Sequence, residues 1–530
     1  MKTIKLYISI ITLFILLGIY ACTNLNVPDY SEIVTDNFHP TEDDIASLIA
    51  PVYTVMRPMW AGWDGNFDLQ EESSDEITTP VRPNGWYDGG TYIRMHKHLW
   101  TPNEWQPENL WLNCYSGINA ANRVLYQIQS GVVPMSDSNQ KRALIAELKV
   151  ARAFYYYELL DNFGNVPIST DYTATEPPKQ SSRQEVYDFV VKELLDNIPY
   201  LSEEVSPKTY GRFNKWAAET LLAKIYLNAQ VYTGTPEWDK CIQVCDDIIN
   251  SGKYILEPNY RNNFVTNNEN SRENIFVVPY DETLAPGFII HMKTLRPVMQ
   301  KVFNLQAQPW GGSCATPQFI HTYDPDDERL KDTWLMGPQV SPQGDTVITL
   351  LDTLINIDQP NGNPFSYGYC IGKYEIKMGA KSNLSNDFVI FRYADVLMMK
   401  AECLLRTGYA DEAAAIVTQV RERAFKSNPS KAVVTGAELM QGSSYPYGYV
   451  ENGSIVHYEG GADVKYGRFL DELGWEFAAE AHRRQDMIRF GVYSTKEWFQ
   501  HKPVGSYDQL FPIAEDVLNS NPNLKQNPGY

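Results

Sequence analysis

Paired amphipathic helices are the feature that most restricts the fold of this 530-residue chain. Apolar residues recur at helical spacing over 394–405 and again over 413–424, on either side of a turn at Gly408. Similar stripes cover 218–229 and 237–250. One helical hairpin cannot bury its apolar faces alone, so several hairpins must pack on one another.

A longer helix is predicted from Ala143 onward, ending near Gly164, a residue typical of helix C-termini. Small residues at the helix crossings and turns that contain Gly are typical of tetratricopeptide repeats, although the spacing here is irregular. We predict a mainly α fold: a tetratricopeptide-like helical-hairpin solenoid base with long loop-rich inserts carrying little β structure. Periodicity alone leaves an ordinary helical domain open as the alternative.

The first residues predict an exported and lipidated protein. Lys2 and Lys5 precede an apolar run that is shorter than the ~20 residues needed to span a bilayer, so a signal peptide is favoured over a transmembrane helix. The run ends at Ala21 and Cys22, in a context that resembles a bacterial lipoprotein cleavage box. Cys22 is therefore the predicted lipidation site, and several acyl chains on one cysteine would anchor the chain firmly.

Charge and cysteine content argue against a nucleic-acid-binding protein and against a fold held together by disulfides. The formal charge of −20 would repel phosphate backbones, which argues against a nucleic-acid partner. The cysteines other than Cys22 are scattered and give no disulfide framework. Cys241 and Cys245 sit four residues apart in a helical pattern, and we interpret them as core residues.

Several segments, taken in order, resemble one family. These segments are 151–156 with 163–167, 215–227, 391–402, 476–491 and the C-terminal stretch 521–530. Together with the lipoprotein signal they resemble the SusD/RagB-like outer-membrane lipoproteins of Bacteroidetes. One departure is Asp471-Glu472-Leu473-Gly474, where the family commonly carries paired arginines. We interpret Arg392, Asp395, His482 and Arg483, which lie in these segments, as buried pairs rather than as a catalytic set.

The resemblance implies a cell-surface protein that captures an oligosaccharide or polysaccharide. It also implies delivery of that nutrient to a SusC-like TonB-dependent transporter, at the outer membrane and on a lipid anchor. The predicted segments are 1–21 signal peptide, 22–109 tether and aromatic-rich N-terminal region, 110–254 tetratricopeptide-like helices, 255–385 loop-rich insert, 386–426 tetratricopeptide-like helix pair, 427–465 Gly/Ser/Tyr-rich insert, and 466–530 C-terminal helix and closing segment.

Tryptophans on turns indicate where a sugar would bind. Half of the 12 tryptophans lie between positions 60 and 111, mostly on turns. Sugar rings stack on exposed aromatic faces, and polar side chains bind the hydroxyls at the edge. The candidate glycan-binding residues are Trp86, Tyr87, Trp310, Trp60, Trp63, Arg82, Asn84 and Asp88. Trp86 and Trp310 are the leading candidates, although each ring could equally serve packing.

An enzyme is the less favoured interpretation. Glu71-Glu72 and Asp75-Glu76 are close carboxylates, but glycoside hydrolysis needs two carboxylates at a fixed separation across a cleft. We expect such acidic clusters to form solvated faces. His96 and His98 could share a metal, yet no third ligand is suggested by spacing, so neither a metal nor a cofactor is predicted. A structural or adhesive surface protein remains the main alternative function.

Overall fold

The computed structural model describes residues 40–60, 62, 65–83, 86–359 and 365–530. The predicted signal peptide and Cys22 lie outside these residues, as do Trp63 and Asn84. Among the residues described, no helix is both long and apolar enough to cross a membrane.

Helices form most of the regular structure in the part of the chain that is described. They are α1 Glu42–Thr54, α2 Met56–Trp60, α3 Asn66–Glu71, α4 Thr91–His96, α5 Trp105–Gln129, α6 Ser138–Asn162, α7 Arg183–Asn197, α8 Lys215–Leu227, α9 Ala229–Thr233, α10 Trp238–Ser251, α11 Ile290–Thr294, α12 Gln300–Phe303, α13 Pro317–Ile320, α14 Glu328–Thr333, α15 Tyr393–Thr407, α16 Ala410–Arg421, α17 Gly436–Leu439, α18 Gly467–Phe477, α19 Arg483–Arg489 and α20 Glu515–Ser520. The predicted mainly α class is confirmed.

The long helices pack on one another in chain order. Helix α5 packs on α6, α6 on α7, α8 on α10, α10 on α15, and α15 on α16. Helix α6 ends as predicted, because Gly164 adopts φ +72° and its amide donates to the carbonyls of Leu159 and Leu160. Cys241 and Cys245 of α10 are buried and free, which confirms their assignment to the core.

Helix α8 is buried more completely than its apolar stripe predicts. Thr220 and Lys224 lie off that stripe, yet both are buried. The Lys224 ammonium is 3.3 Å from Nδ1 of His482, which lies in the segment just before α19. The C-terminal segment thus covers the face of α8 that periodicity alone would leave in water.

The strands are short and form two-stranded antiparallel pairs within the described ranges. They are β1 Ile77–Thr78, β2 Asn274–Val278, β3 Cys314–Ala315, β4 Trp334–Leu335, β5 Gly337–Val340, β6 Thr346–Leu350, β7 Cys370–Ile371, β8 Phe388–Arg392, β9 Gly448–Glu451 and β10 Ser454–Tyr458. The pairs are β1 with β3, β2 with β8, β4 with β7, β5 with β6, and β9 with β10. Strand β8 runs directly into α15, so the β2–β8 pair joins the long insert to the helical base.

The region around residues 427–465 contains more regular structure than a loop. It carries a hairpin of β9 and β10, whose turn is Asn452-Gly453 with φ +49° and +75°. Asn-Gly with two positive φ values is the preferred two-residue hairpin turn. This dipeptide is the sequence signal that could have predicted the hairpin.

Candidate functional site

The turn before α4 carries the most exposed of the candidate aromatic residues that are described. Three consecutive residues have positive φ: Asp88 at +44°, Gly89 at +62° and Gly90 at +80°. This left-handed run is easy for glycine and turns the chain sharply. The Gly90 amide donates to the Tyr87 carbonyl at 2.7 Å, and the Tyr87 side chain is left 58% exposed.

Trp86 joins this turn to a loop of the long insert. Its indole Nε1–H donates to the Trp310 carbonyl at 2.7 Å, across 224 positions of sequence. The Trp86 ring lies against Gly312, where an added Cβ would sit only 2.8–3.0 Å from the ring atoms. Glycine at position 312 therefore lets the two loops approach, a role that the sequence interpretation did not assign.

Trp310 is held by its backbone and is half-buried. Its amide donates to the Met292 carbonyl at 2.7 Å, and the Gly312 amide donates to the Lys293 carbonyl at 2.6 Å. Both acceptors lie in α11. Two hydrogen bonds to one helix hold this loop, and a rigid support for a half-exposed ring is what stacking on a sugar requires.

Three of the other candidates are buried in the fold rather than exposed to a ligand. Trp86 is only 6% exposed, and Trp60 is buried in a stack on Phe388 with 5.4 Å between ring centroids. Arg82 is buried and donates to the Tyr367 carbonyl at 3.0 Å, and its burial lowers the pKa of its guanidinium to about 9. The structure corrects the prediction for Trp86, Trp60 and Arg82, because the surrounding chain covers the surfaces that a sugar would need.

Asp88 remains as a polar group beside the exposed ring of Tyr87. Its side chain is half-buried, and this partial burial raises the pKa of its carboxyl. A carboxylate at the edge of an aromatic ring can accept hydrogen bonds from sugar hydroxyls. Tyr87, Asp88 and Trp310 are hereafter called the aromatic turn site.

The neighbouring acidic cluster is buried, which contradicts the expectation of a solvated face. Glu71, Glu72, Asp75 and Glu76 are all buried; distant segments bring cations to Glu72 and Asp75, whereas Glu71 accepts a hydrogen bond from the Ala481 amide at 2.6 Å. Lys293 Nζ lies 2.8 Å from Glu72 and 2.5 Å from Asp68, and Arg483 lies 2.7 Å from Asp75. Buried charges require such partners.

His96 and His98 are each engaged by protein atoms rather than by a shared site. Both nitrogens of His98 are occupied, with Nδ1 2.8 Å from Asp508 Oδ2 and Nε2 2.8 Å from the Ser73 carbonyl. His96 Nε2 contacts the Phe499 carbonyl, and burial lowers the pKa of His96 to about 3. These histidines are core residues of the packing between the N-terminal and C-terminal segments.

Arg392 lies at the centre of a buried ion cluster, as the sequence interpretation of buried pairs predicts. Its guanidinium contacts carboxylates of Glu273 at 2.8 Å, Glu476 at 2.7 Å and Glu480 at 2.7 Å. Burial alone would raise the pKa of Glu476, but Arg423, Arg392 and Arg329 hold it well below its usual range. We call these residues, Arg392, Arg423, Arg329, Glu273, Glu476 and Glu480, the ion cluster.

The segment that lacks paired arginines is neutralised by arginines from elsewhere. Glu472 of α18 contacts Arg468 at 2.6 Å and Arg329 at 3.5 Å, and it also contacts Arg421. The departure at Asp471-Glu472-Leu473-Gly474 therefore leaves this glutamate paired within the fold.

The C-terminal segment closes the base. The Asn527 side-chain amide donates to the carbonyls of Phe163 at 3.0 Å and Phe511 at 2.8 Å. Two segments that carry the family resemblance thus meet at the end of α6. Most residues of these segments act as scaffold.

Comparisons with known proteins match both parts of the chain. Residues 219–530 match the model described as the SusD family, and residues 29–227 match one described as starch-binding associating with outer membrane. The starch-binding protein SusD of Bacteroides thetaiotaomicron is 23% identical over 88% of this chain and 89% of its own length. The SusD-like protein P25 of Formosa agariphila is 23% identical over 99% and 100%.

Solved structures show the same fold. A SusD homologue from Bacteroides thetaiotaomicron has a TM-score of 0.72 at 19% identity, covering 94% of this chain and 99% of its own. A laminarin-binding SusD-like protein has a TM-score of 0.69 at 20% identity, covering 93% and 100%. The first of the two family models alone spans more than half of the chain, and the chain therefore belongs to the SusD family.

Proposed function

We propose that this protein is a cell-surface lipoprotein that binds an oligosaccharide or polysaccharide through the aromatic turn site. The observation that carries the proposal is the hydrogen bond from the Trp86 indole to the Trp310 carbonyl, which joins the turn that carries the exposed Tyr87 to the loop that carries the half-buried Trp310. Family membership supports the same function, because relatives include a starch-binding protein and a laminarin-binding protein.

In the proposed complex, Tyr87 and Trp310 stack on sugar faces and Asp88 accepts hydrogen bonds from hydroxyls. Trp86 supports Trp310 from the interior through the hydrogen bond from its indole to the Trp310 carbonyl. Trp63 and Asn84 lie outside the described residues and stay predicted contacts.

Capture would be followed by transfer to a TonB-dependent outer-membrane transporter of the SusC type, with the protein held to the membrane through Cys22. Binding without catalysis is part of the proposal. The catalytic candidates Glu71, Glu72, Asp75 and Glu76 are buried beneath the surface, where a polysaccharide cannot reach them.

The test is migration of the purified chain in native gels that contain plant, host or microbial polysaccharides. We expect retardation by at least one polysaccharide, with no release of reducing sugar. A Tyr87→Ala/Trp310→Ala double variant should lose the retardation. Tyr409→Ala is the matched control, because Tyr409 is 55% exposed at a helix turn in the base and should leave migration unchanged.

Other outcomes would favour a different glycan site or a different function. Retardation that survives the double variant would place the glycan site elsewhere, and release of reducing sugar would favour a hydrolase. Pull-down from detergent-solubilised outer membranes tests the association with a transporter. The lipid-anchored protein, used as bait, should recover a TonB-dependent barrel. Failure to recover one, together with glycan binding, would favour the adhesive alternative.

A further inference from the structure

A second cluster of ligand-type side chains lies at the β9–β10 hairpin. His457 is in β10, Glu459 follows that strand, and Glu497 comes from the segment after α19. His457 Nδ1 lies 2.7 Å from Glu497 Oε2 and 4.0 Å from Glu459 Oε1. One ligand atom from each residue lies within 4.8 Å of the others, so the three side chains are close enough together to converge on one metal ion.

Backbone contacts hold the three residues in place. The Gly448 amide donates to the Glu497 carbonyl at 2.7 Å, and the Glu459 amide donates to the Tyr447 carbonyl at 2.9 Å. The Glu497 amide donates to Glu459 Oε2 at 3.3 Å, so the two carboxylate-bearing residues are linked directly. A Cβ at position 448 would lie 2.3 Å from the His457 carbonyl oxygen, so glycine there permits the close pairing of this hairpin.

The nearby lysines are engaged with other groups. Lys496 contacts both carboxylate oxygens of Asp463, at 2.7 and 2.9 Å. Lys502 lies over the Tyr449 ring, 4.4 Å from its centroid. Neither lysine forms an ion pair with Glu459 or Glu497, and within the described ranges His457 is the cationic-type side chain paired with these two carboxylates.

The donor set selects a class of cation. One imidazole nitrogen and two carboxylate oxygens suit first-row divalent metals such as Zn²⁺, whereas Ca²⁺ and Mg²⁺ take oxygen ligands. Two carboxylates also balance the double positive charge. The His457 side chain is 64% exposed, so a fourth position would face solvent.

We propose that His457, Glu459 and Glu497 form a zinc-binding site that clamps the β9–β10 hairpin to the segment after α19. This site is separate from the aromatic turn site, and the proposal does not depend on glycan binding. Zinc would add a link between two segments that backbone hydrogen bonds already join.

The test is calorimetric titration of the metal-free full chain with zinc sulfate. We expect one equivalent of saturable binding, weakened at least about tenfold in His457→Ala and in Glu497→Gln, because each change removes a direct ligand. The matched control is His321→Ala. His321 forms a similar exposed pair with Asp352 at 2.9 Å, and no third ligand was found for that pair among the residues described.

A second measurement distinguishes the loss of a zinc ligand from misfolding of the variant. Zinc should raise the midpoint of thermal unfolding of the parent chain and of His321→Ala, but not that of His457→Ala, with all three midpoints compared in metal-free buffer. Absence of one-to-one binding would overturn the proposal. Equal zinc affinity in His457→Ala and the parent, or calcium binding as tight as zinc binding, would also overturn it.

Discussion

The ion cluster and the aromatic turn site use charge and aromatic side chains in opposite ways. In the ion cluster, Arg392 and its carboxylate partners are buried, and Arg392, Glu476 and Glu480 belong to segments that carry the family resemblance. In the aromatic turn site, Tyr87 is exposed and Trp310 is half-buried, on loops with weaker sequence patterns. The comparison teaches that the most recognisable residues of this chain maintain the scaffold, while the residues that we propose for ligand binding lie between the recognisable segments.

The aromatic turn site has its own set of buried charged residues, distinct from the ion cluster. Lys293 pairs with Asp68 and Glu72 in the interior, and its ammonium lies 4.4 Å from the centroid of the Tyr92 ring. Tyr92 packs edge-on against Trp86, with 5.6 Å between ring centroids. The support of the aromatic turn site therefore rests on buried ion pairs, and changes to buried charges should affect stability first.

The largest effect is expected from Arg392→Met. This change leaves Glu273, Glu476 and Glu480 buried with one cation fewer, which should lower the free energy of unfolding by about 3–5 kcal/mol. Urea denaturation measures the loss. Lys192→Ala, which breaks the exposed pair with Asp196, is the control and should leave stability unchanged. An Arg392 variant as stable as the parent would mean that the ion cluster contributes little to the scaffold.

The next effect is a pH dependence centred on Glu71. Burial raises the pKa of Glu71 to about 8, against an ordinary value of 4.5. The folded chain thus holds this proton more tightly than the unfolded chain does. The resulting stabilisation is complete below about pH 4.5 and is lost as the pH rises to about 8.

Glu71→Gln removes this titration. It keeps a side-chain oxygen that can accept the hydrogen bond from the Ala481 amide, which lies 2.6 Å from Glu71 Oε1 in the parent chain. The stability of the variant relative to the parent should therefore increase with pH, by about 1.4 kcal/mol per unit across that window. Urea denaturation of both proteins from pH 5 to pH 8 checks this slope. If the difference in free energy of unfolding between variant and parent stays constant with pH, Glu71 does not hold a proton in the folded chain over this range.

A smaller effect, on ligand affinity rather than stability, is expected from Trp310→Ala. Loss of one stacking face should weaken binding of the identified glycan by about 1–2 kcal/mol, or about five- to thirtyfold. Isothermal titration calorimetry measures the change, with Tyr409→Ala as the exposed aromatic control. An unchanged affinity would remove Trp310 from the site and leave Tyr87 as the candidate to examine.

The smallest effect is expected from Trp86→Phe, which removes the indole N–H that donates to the Trp310 carbonyl and keeps an aromatic ring against Gly312. We expect a loss of about 1 kcal/mol in the free energy of unfolding, the net value of one hydrogen bond. Glycan affinity should fall by less than in Trp310→Ala, because Trp310 remains present. A larger fall than in Trp310→Ala would show that Trp86 contacts the sugar itself.

Helical periodicity predicted the base well, because the signals that define a helix lie within a few residues of one another. The stripes over 218–229 and 394–405 correspond to α8 and α15, and Gly408 ends α15 with φ +96°. The expectation that Glu71 to Glu76 form a solvated face is wrong, because residues that cover or pair with them, such as Lys293 at Glu72 and Arg483 at Asp75, come from positions more than 200 residues away.

The sequence by itself determined the helical hairpins, the C-terminal ends of α6 and α15 at Gly164 and Gly408, and the family to which the chain belongs, since each depends on local spacing or on residues in a fixed order. Only the tertiary structure decided which aromatic residues face solvent. Trp60 and Tyr87 both occur in turn-rich sequence, yet one stacks on Phe388 in the core and the other is exposed. The exposure of a side chain depends on which distant segment covers it, and local sequence does not encode that segment.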